Sequence, residues 1–279
     1  MSALSALSKI TAIDRRWIWL VVMVAFAIPI IRPLAIPISI SEETRKAFDA
    51  IESFPEGSVV MLDVEMWMRY YPELGPTTEA FIYHVLKKNL KLVIWASSAE
   101  GAPFAETALR AVNPEKMGKR YGVDYVHLGY IAGGEKAMAS LMTDIHSTVT
   151  TDYYGNKITD LKIMENVRSS KDIKTIACVI STQPDDRVRQ YSITGGIKWI
   201  ALTSGGWVPG IKPFVASGHV LTTVGGIRGG AEYELLVGRP GSGLISTDIT
   251  SVTLLLMVAL VVLSNIGYFA ERAAGGRRK

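Results

Sequence analysis

Three stretches of sequence decide the fold: residues 59–64 read VVMLDV, residues 77–88 read TTEAFIYHVLKK, and residues 92–96 read LVIWA. The first and third are short, continuously apolar runs, which are typical of strands buried on both faces of a sheet. The middle stretch follows Pro76 and ends in two lysines, which favours a helix with Pro76 at its start. A strand, a helix and a second strand in this order predict a right-handed crossover within a parallel sheet.

The same alternation continues along the middle of the chain. Further strand candidates are residues 125–128, 175–180, 199–203 and 220–224. Helical patterns occupy residues 105–121, 135–145, 185–191 and 231–237. The sequence therefore predicts a doubly wound, mostly parallel α/β sheet of Rossmann- or flavodoxin-like type at residues 41–238. Residues 146–172 interrupt the alternation as a long polar excursion, with a short helix expected at 160–167, and such insertions tend to be functional loops or contact surfaces.

Two apolar segments, 17–36 and 249–270, bracket this domain. Each is long enough to cross a hydrocarbon core of roughly 30 Å as a helix, so the pattern predicts two transmembrane helices. Arg32 is the only charge in the first segment, and Asn265 is a polar residue near the end of the second. Residues 239–248, with Pro240 and several glycines, are expected to form a hinge.

Basic residues lie on the outer flanks of both apolar segments. They are Lys9, Arg15, Arg16, Arg272, Arg277, Arg278 and Lys279. The positive-inside rule predicts that tails 1–16 and 271–279 are cytoplasmic and that the middle domain is extracytoplasmic. The net charge of +4 therefore belongs to the membrane flanks, and the middle is slightly acidic. This distribution disfavours nucleic-acid binding, because no Lys/Arg stripe is left to follow phosphates.

The sequence contains no pattern that fixes a cofactor or a metal. Its single cysteine, Cys178, lies in an apolar run and is expected to be a buried small hydrophobe. The four histidines are scattered and do not have the spacing of metal ligands. We therefore expect no metal site and no cofactor.

The candidate ligand site lies in the loops that follow the strands, because ligands bind open parallel sheets at their carboxyl ends. The run GGIRGGAE at 225–232 leads from a strand into a helix, so Gly226 and Arg228 could hold an anion there. Gly133 and Gly134 form a similar, shorter loop. In both places glycine has an alternative role, which is to allow a tight turn.

Two further residues are candidates for chemistry. Asp63 and Glu65 share one face of a strand and could act as a carboxylate pair, or they could form a solvated strand end. Ser204 lies in the sequence TSGG, without the GxSxG pattern of a nucleophile elbow. A serine-dependent hydrolase would need His127 or His219 beside Ser204 in space.

Exposed aromatics and one membrane amide indicate a contact surface instead. Tyr153, Tyr154 and Trp207 lie in loops, and interfaces are enriched in such residues. An amide in lipid is costly, so Asn265 is expected to face the first apolar helix or a helix of another chain.

Three segments, YVHLGY at 125–130, TDYYG at 151–155 and GGAEYE at 229–234, carry a resemblance. The chain resembles a family of prokaryotic two-span membrane proteins with an extracytoplasmic Rossmann-like domain. That family has no known activity, so the resemblance implies the layout and no site residue.

Two classes of function are compatible with these patterns. The first is a non-enzymatic, membrane-anchored assembly subunit, whose partners are the lipid bilayer and either copies of itself or other membrane-complex subunits. The second is a small-ligand-binding or hydrolytic domain that uses the loops at the carboxyl ends of the strands. A Ser204 protease is a variant of the second class.

Overall fold

A computed structural model describes residues 14–34 and 36–273, without the side chains of residues 271 and 273. The flanking basic residues Lys9, Arg277, Arg278 and Lys279 lie outside the described residues. The chain divides into two compact units. Residues Ile38–Gly243 form the first, and the residues before and after them form the second.

The first unit is built on one six-stranded, all-parallel sheet in the order β3-β2-β1-β4-β5-β6. The strands are β1 (Val59–Glu65), β2 (Lys91–Ala96), β3 (Tyr125–Tyr130), β4 (Ile173–Ile180), β5 (Trp199–Thr203) and β6 (Val220–Gly225). This confirms the predicted parallel α/β class. The strand order is that of Rossmann-like domains, and it reverses between β1 and β4.

Ten helices are described. They are α1 (Arg15–Ile31), α2 (Glu42–Glu52), α3 (Tyr71–Lys87), α4 (Gly101–Val112), α5 (Glu135–Thr143), α6 (Ile145–Thr148), α7 (Asp185–Arg187), α8 (Val208–Ala216), α9 (Gly226–Val237) and α10 (Ser242–Ala273). A π-helix, Val188–Thr194, continues α7. The 3₁₀ turns are Met68–Tyr70, Pro114–Met117, Ile158–Asp160, Lys162–Asn166, Ser170–Asp172 and Gly205–Trp207.

Apolar cores cover both faces of the sheet. Leu62 of β1 belongs to the core that includes residues of α2, α3, α4 and α9. Met61 belongs to the opposite core, with residues of α5, α6, α8 and the π-helix. Because side chains alternate along a strand, Asp63 lies on the same face as Met61. A buried carboxylate therefore enters the second core.

Several helix boundaries differ from the sequence-based prediction. Helix α3 begins at Tyr71, so Pro76 lies inside it and not at its start. Helices α2 and α8 were not predicted at all. The sequence of α8, VPGIKPFVA, contains two prolines and a glycine, which disfavour a helix locally. Packing of Ile211 in the core stabilises it there.

The excursion at residues 146–172 covers the free edge of β3. The Tyr153 amide donates to the His127 carbonyl at 2.8 Å, and the Ile163 amide donates to the Gly122 carbonyl at 2.9 Å. The short helix expected at 160–167 is a 3₁₀ turn. Covering an edge strand in this way prevents it from pairing with another chain.

One helix among the described residues, Ser242–Ala270, is long and apolar enough to cross a membrane. Helix α1 has 17 residues and ends at Ile31, five residues before the expected boundary at 36. Arg32 is extended because the following Pro33 disfavours the helical conformation for it. The structure thus gives one candidate span where the sequence predicted two.

The segment expected to be a hinge, 239–248, is helical from Ser242 onward. Its first part is also bound to the domain. The buried carboxylate of Glu234 accepts the amides of Gly241 at 3.0 Å and Gly243 at 2.9 Å. A carboxylate at this place satisfies amides that lie at the start of a helix.

Candidate functional site

The topological switch point lies between β1 and β4, where the chain order of the sheet reverses. Ligands of doubly wound folds bind in the crevice above such a point. Asp63 and Cys178 are neighbours across these two strands, and Glu65 is the neighbour of Ile180. The strand end at this switch point therefore carries two carboxylates, those of Asp63 and Glu65.

Asp63 is fully buried and accepts three hydrogen bonds from other elements. The donors are Ser97 Oγ at 2.8 Å, Arg187 Nε at 2.8 Å and Tyr191 Oη at 2.8 Å. Ser97 follows β2, whereas the other two donors follow β4. The interpretation of Asp63 as a solvated strand end is therefore wrong, because its carboxylate is buried. A buried charge is costly unless it is paired, and these donors pair it.

Arg187 is 1% exposed and is the centre of a cluster of hydrogen-bonded side chains, namely Asp63, Glu65, Ser97, Arg187 and Tyr191. In addition to Asp63, its guanidinium donates from Nη1 to Glu65 Oε2 at 2.6 Å and from Nη2 to Ser97 Oγ at 2.9 Å. Burial opposes its charge, but the charges of the two carboxylates raise the pKa of Arg187 above its ordinary value. The guanidinium thus stays charged and links β1, β2 and the segment after β4.

The π-helix Val188–Thr194 brings Tyr191 to the same carboxylate. One turn with a wider hydrogen-bond spacing changes the direction of the side chains that follow it. Burial, together with the negative charge of Asp63, raises the pKa of Tyr191 well above its ordinary value. Its hydroxyl therefore acts as a neutral donor.

Only the outer part of the cluster reaches solvent. The Glu65 side chain is 30% exposed, and Thr182 Oγ1 donates to its carboxylate at 3.0 Å. Each guanidinium nitrogen of Arg187 has a partner from the same chain. At the strand end where related folds hold a ligand, the two carboxylates are thus bound by the protein's own arginine.

Gly133 and Gly134 lie between β3 and α5, and both have positive φ, +124° and +55°. The next residue, Glu135, accepts from Arg189 Nε at 2.8 Å and from Gln190 Nε2 at 2.9 Å. Hydrogen bonds from Arg189 and Gln190 lower the pKa of Glu135 to about 2. The loop after β3 is therefore attached to the π-helix.

Ser204 is not placed for nucleophilic catalysis. It is buried, and in the described residues its side chain has no hydrogen bond to a histidine. His127 lies on β3, four strand spacings or roughly 19 Å away, and its Nε2 lies 3.1 Å from the Ala102 carbonyl. His219 precedes β6 at its amino end, whereas Ser204 follows the carboxyl end of the neighbouring parallel strand β5. Among the described residues, neither His127 nor His219 is therefore bound to Ser204.

The glycine-rich run after β6 is not a loop, because α9 begins at Gly226 directly after the strand. The start of this helix approaches another loop and a carboxylate. A Cβ at Gly226 would lie 3.2 Å from the Gly205 backbone and 3.5 Å from Glu73 Oε1. Glu73 Oε1 also accepts the Gly205 amide at 2.9 Å. The Arg228 guanidinium is bound to Glu232 at 2.9 Å and to Ser39. The anion that Arg228 binds here is thus the carboxylate of Glu232. An anion site at Gly226 and Arg228 stays a prediction.

Among the expected interface residues, Tyr153 and Tyr154 are adjacent, with ring centroids 5.3 Å apart, whereas Trp207 and Asn265 lie on other segments. Tyr153 stacks on His127 with ring centroids 4.5 Å apart, and Tyr154 Oη donates to Glu106 at 2.6 Å. Both tyrosines remain 40–50% exposed. Trp207 is partly exposed at the start of α8. Asn265 is exposed on α10 and donates to the Val261 carbonyl at 2.8 Å.

Sequence reasoning identified Asp63 and missed its partners. Arg187 is 124 residues from Asp63 in sequence, Ser97 lies on the loop after β2, and Tyr191 lies on the π-helix. The available signal was a charged run, DDRVR at 185–189, which begins five residues after the end of buried strand β4. Groups of three or more His, Cys, Asp or Glu residues that could hold a metal are absent from the described part of the chain.

No protein-family model, curated protein or solved structure matches this chain. The strand order and the switch-point cluster therefore define its class by themselves. It is a Rossmann-like α/β protein with one helix that could span a membrane.

Proposed function

We propose that this chain is a non-catalytic, membrane-anchored subunit that assembles with copies of itself or with other membrane proteins. The observation that carries the proposal is the buried Arg187 guanidinium, which is bound to Asp63, Glu65 and Ser97 at the switch point. A ligand that used these carboxylates would have to displace this guanidinium. Removing one partner of a buried ion pair typically costs 3–5 kcal/mol, which opposes ligand entry.

Exposed aromatic and apolar side chains on the loops support an assembly role. Trp67 is 48% exposed after β1, and Tyr130 is 48% exposed at the end of β3. The Arg69 guanidinium lies 4.1 Å from the Trp67 ring centroid, so a cation of the same chain holds this exposed ring in place. Aromatic residues and arginine are enriched in protein interfaces.

The proposed arrangement in the membrane has two spans and cytoplasmic termini, with the α/β domain outside. Helix α10 supplies one span. Helix α1 is about 25 Å long, and the apolar residues after Ile31 extend its reach toward the far interface. Basic residues on the outer flanks, including Arg15, Arg16 and Arg272, favour this orientation.

The test is the native mass of the full chain in mild detergent, combined with thermal unfolding in the presence of ligands. We expect a particle larger than one chain and no stabilisation by nucleotides, sugar phosphates or dicarboxylates. Trp67→Ser and Tyr130→Ser should weaken the particle while the circular dichroism of the sheet domain is preserved. The exposed residue Lys46 gives a matched control, because Lys46→Ser should change neither property.

A small-ligand site is the second candidate. The observation that favours it is a buried polar atom without a partner in the described residues, Trp95 Nε1. Trp95 neighbours Asp63 across β1 and β2. A monomeric particle whose unfolding temperature rises with one of the ligands would support this candidate and contradict the assembly proposal.

A further inference from the structure

Helix α10 presents a stripe of residues with the spacing of a coiled-coil seam. Leu254, Val258, Val261 and Asn265 follow one another at intervals of four, three and four residues, and Tyr268 continues the series. This spacing places their side chains along one side of a helix. Leu254, Val258, Val261 and Tyr268 are 52–61% exposed, and Asn265 is exposed as well. We call these five residues the seam.

Asn265 has unused hydrogen-bonding capacity. Its Nδ2 donates to the Val261 carbonyl on the same helix at 2.8 Å. Within the described residues, the amide oxygen and the second N–H have no partner. In lipid such groups are stabilised by hydrogen bonds to a partner helix, because no water is available there to hydrogen-bond them.

The neighbouring helix of the same chain does not supply that partner. A groove of about 590 Å³ separates α1 from α10, and Asn265 contributes to its lining. The α1 residues that line the groove are all apolar: Ile18, Val22, Ala25 and Phe26. The polar side chains of the groove, Thr253, Ser264 and Asn265, all belong to α10. An intramolecular hydrogen bond to this face of α1 is thus excluded by its composition.

We propose that α10 pairs in parallel with α10 of a second copy along the seam, and that the two Asn265 amides bind each other. The proposal rests on the assembly function above and names the partner. An amide both donates and accepts, so two identical amides complete each other. In a parallel pair with two-fold symmetry the same seam residue lies opposite itself, which brings Asn265 to Asn265. Leu254, Val258 and Val261 supply the apolar layers on one side of that amide.

Energy transfer between labelled copies of the full chain in phosphatidylcholine vesicles tests the pairing. Lys212→Cys gives an exposed labelling site in α8, and the native Cys178 is fully buried. We expect Asn265→Leu to raise the protein-to-lipid ratio at half-maximal transfer by about three- to thirtyfold, the range of interhelical amide bonds in membranes. Asn265→Gln should retain most of the transfer.

The control on the same helix is Thr253→Val. The Thr253 hydroxyl also lines the groove, but it is satisfied by a hydrogen bond to the Ile249 carbonyl at 2.7 Å. Its removal should leave the transfer unchanged. A loss of transfer as large as that of Asn265→Leu would contradict a specific role for the amide.

Disulfide crosslinking maps the face that is used. Val258→Cys places a thiol in the seam, whereas Ala259→Cys places one on the next residue, about 100° around the helix, and both positions are exposed. Under mild oxidation we expect crosslinked dimers from the first variant and not from the second. Equal crosslinking at both positions would overturn the seam.

The results separate this inference from the function on which it rests. If the unchanged protein self-associates and Asn265→Leu behaves identically, the seam is wrong and assembly stands. If it associates only with a different protein, pairing between copies is wrong and assembly again stands. If it is monomeric with no bound partner, both are wrong.

Discussion

Replacing Arg187 by methionine should destabilise the sheet domain strongly. The change removes the hydrogen bonds from the guanidinium to Asp63, Glu65 and Ser97 and leaves the Asp63 carboxylate buried. Asp63 keeps Ser97 and Tyr191 as donors but loses the positive charge that balances it. Breaking a buried ion pair on one side costs about 3–5 kcal/mol. Because the Glu65 side chain is 30% exposed, its share is screened and adds little.

The chain offers a matched control two residues away. Arg189 also binds a carboxylate, that of Glu135, but their side chains are 50% and 35% exposed. Arg189→Met should therefore cost less than about 1 kcal/mol. Combining Arg187→Met with Asp63→Leu removes both charges, and the double variant should recover part of the loss.

Urea unfolding of the full chain in detergent, followed by circular dichroism, measures these differences. The free energy of unfolding should fall in the order unchanged protein, Arg189→Met, double variant and Arg187→Met. The reasoning would be refuted if Arg187→Met cost no more than Arg189→Met, or if the double variant lost the sum of its two single losses. Either result would mean that the buried cluster does not hold the switch point together.

Three further predictions concern other parts of the chain. Burial lowers the pKa of His84 below its ordinary value of 6.5. The stability that the neutral imidazole contributes is therefore present above about pH 6.5 and is lost as the pH falls below it. The free energy of unfolding, measured between pH 5 and 8, should fall toward low pH, and His84→Gln should reduce this dependence. A Cβ at Gly241 would lie 2.8 Å from Glu234 Oε1, so Gly241→Ala should lower the free energy of unfolding by about 1–3 kcal/mol. Gly206→Ala, with no atom within 4 Å of its added Cβ, should be close to neutral in the same assay. Finally, a thiol introduced by Lys157→Cys should react with an impermeant reagent on intact cells, and reaction only after permeabilisation would reverse the proposed orientation.

Local pattern was sufficient to predict the sheet. Strands β1, β2, β4 and β5 are apolar runs such as LVIWA, and such runs are buried wherever a parallel sheet places them. The class of fold follows because their alternation with helical segments leaves few other arrangements. Helix α8 was not predicted because its two prolines and its glycine disfavour a helix more strongly than its short apolar pattern favours one. Its helical form depends on burial of Ile211 in a core made by distant segments.

The sequence by itself determined the strands and the parallel class of the sheet. It also determined the apolar character of the terminal segments and the presence of a carboxylate at position 63. The tertiary structure alone decided what that carboxylate does. Asp63 and Arg187 are 124 residues apart, and periodicity reports only on neighbours within a few residues. A carboxylate at a strand end can be solvated or paired, and the choice depends on whether a cation from another loop is delivered to the same place. In this chain α7 and the π-helix bring Arg187 and Tyr191 there, and the carboxylate is paired.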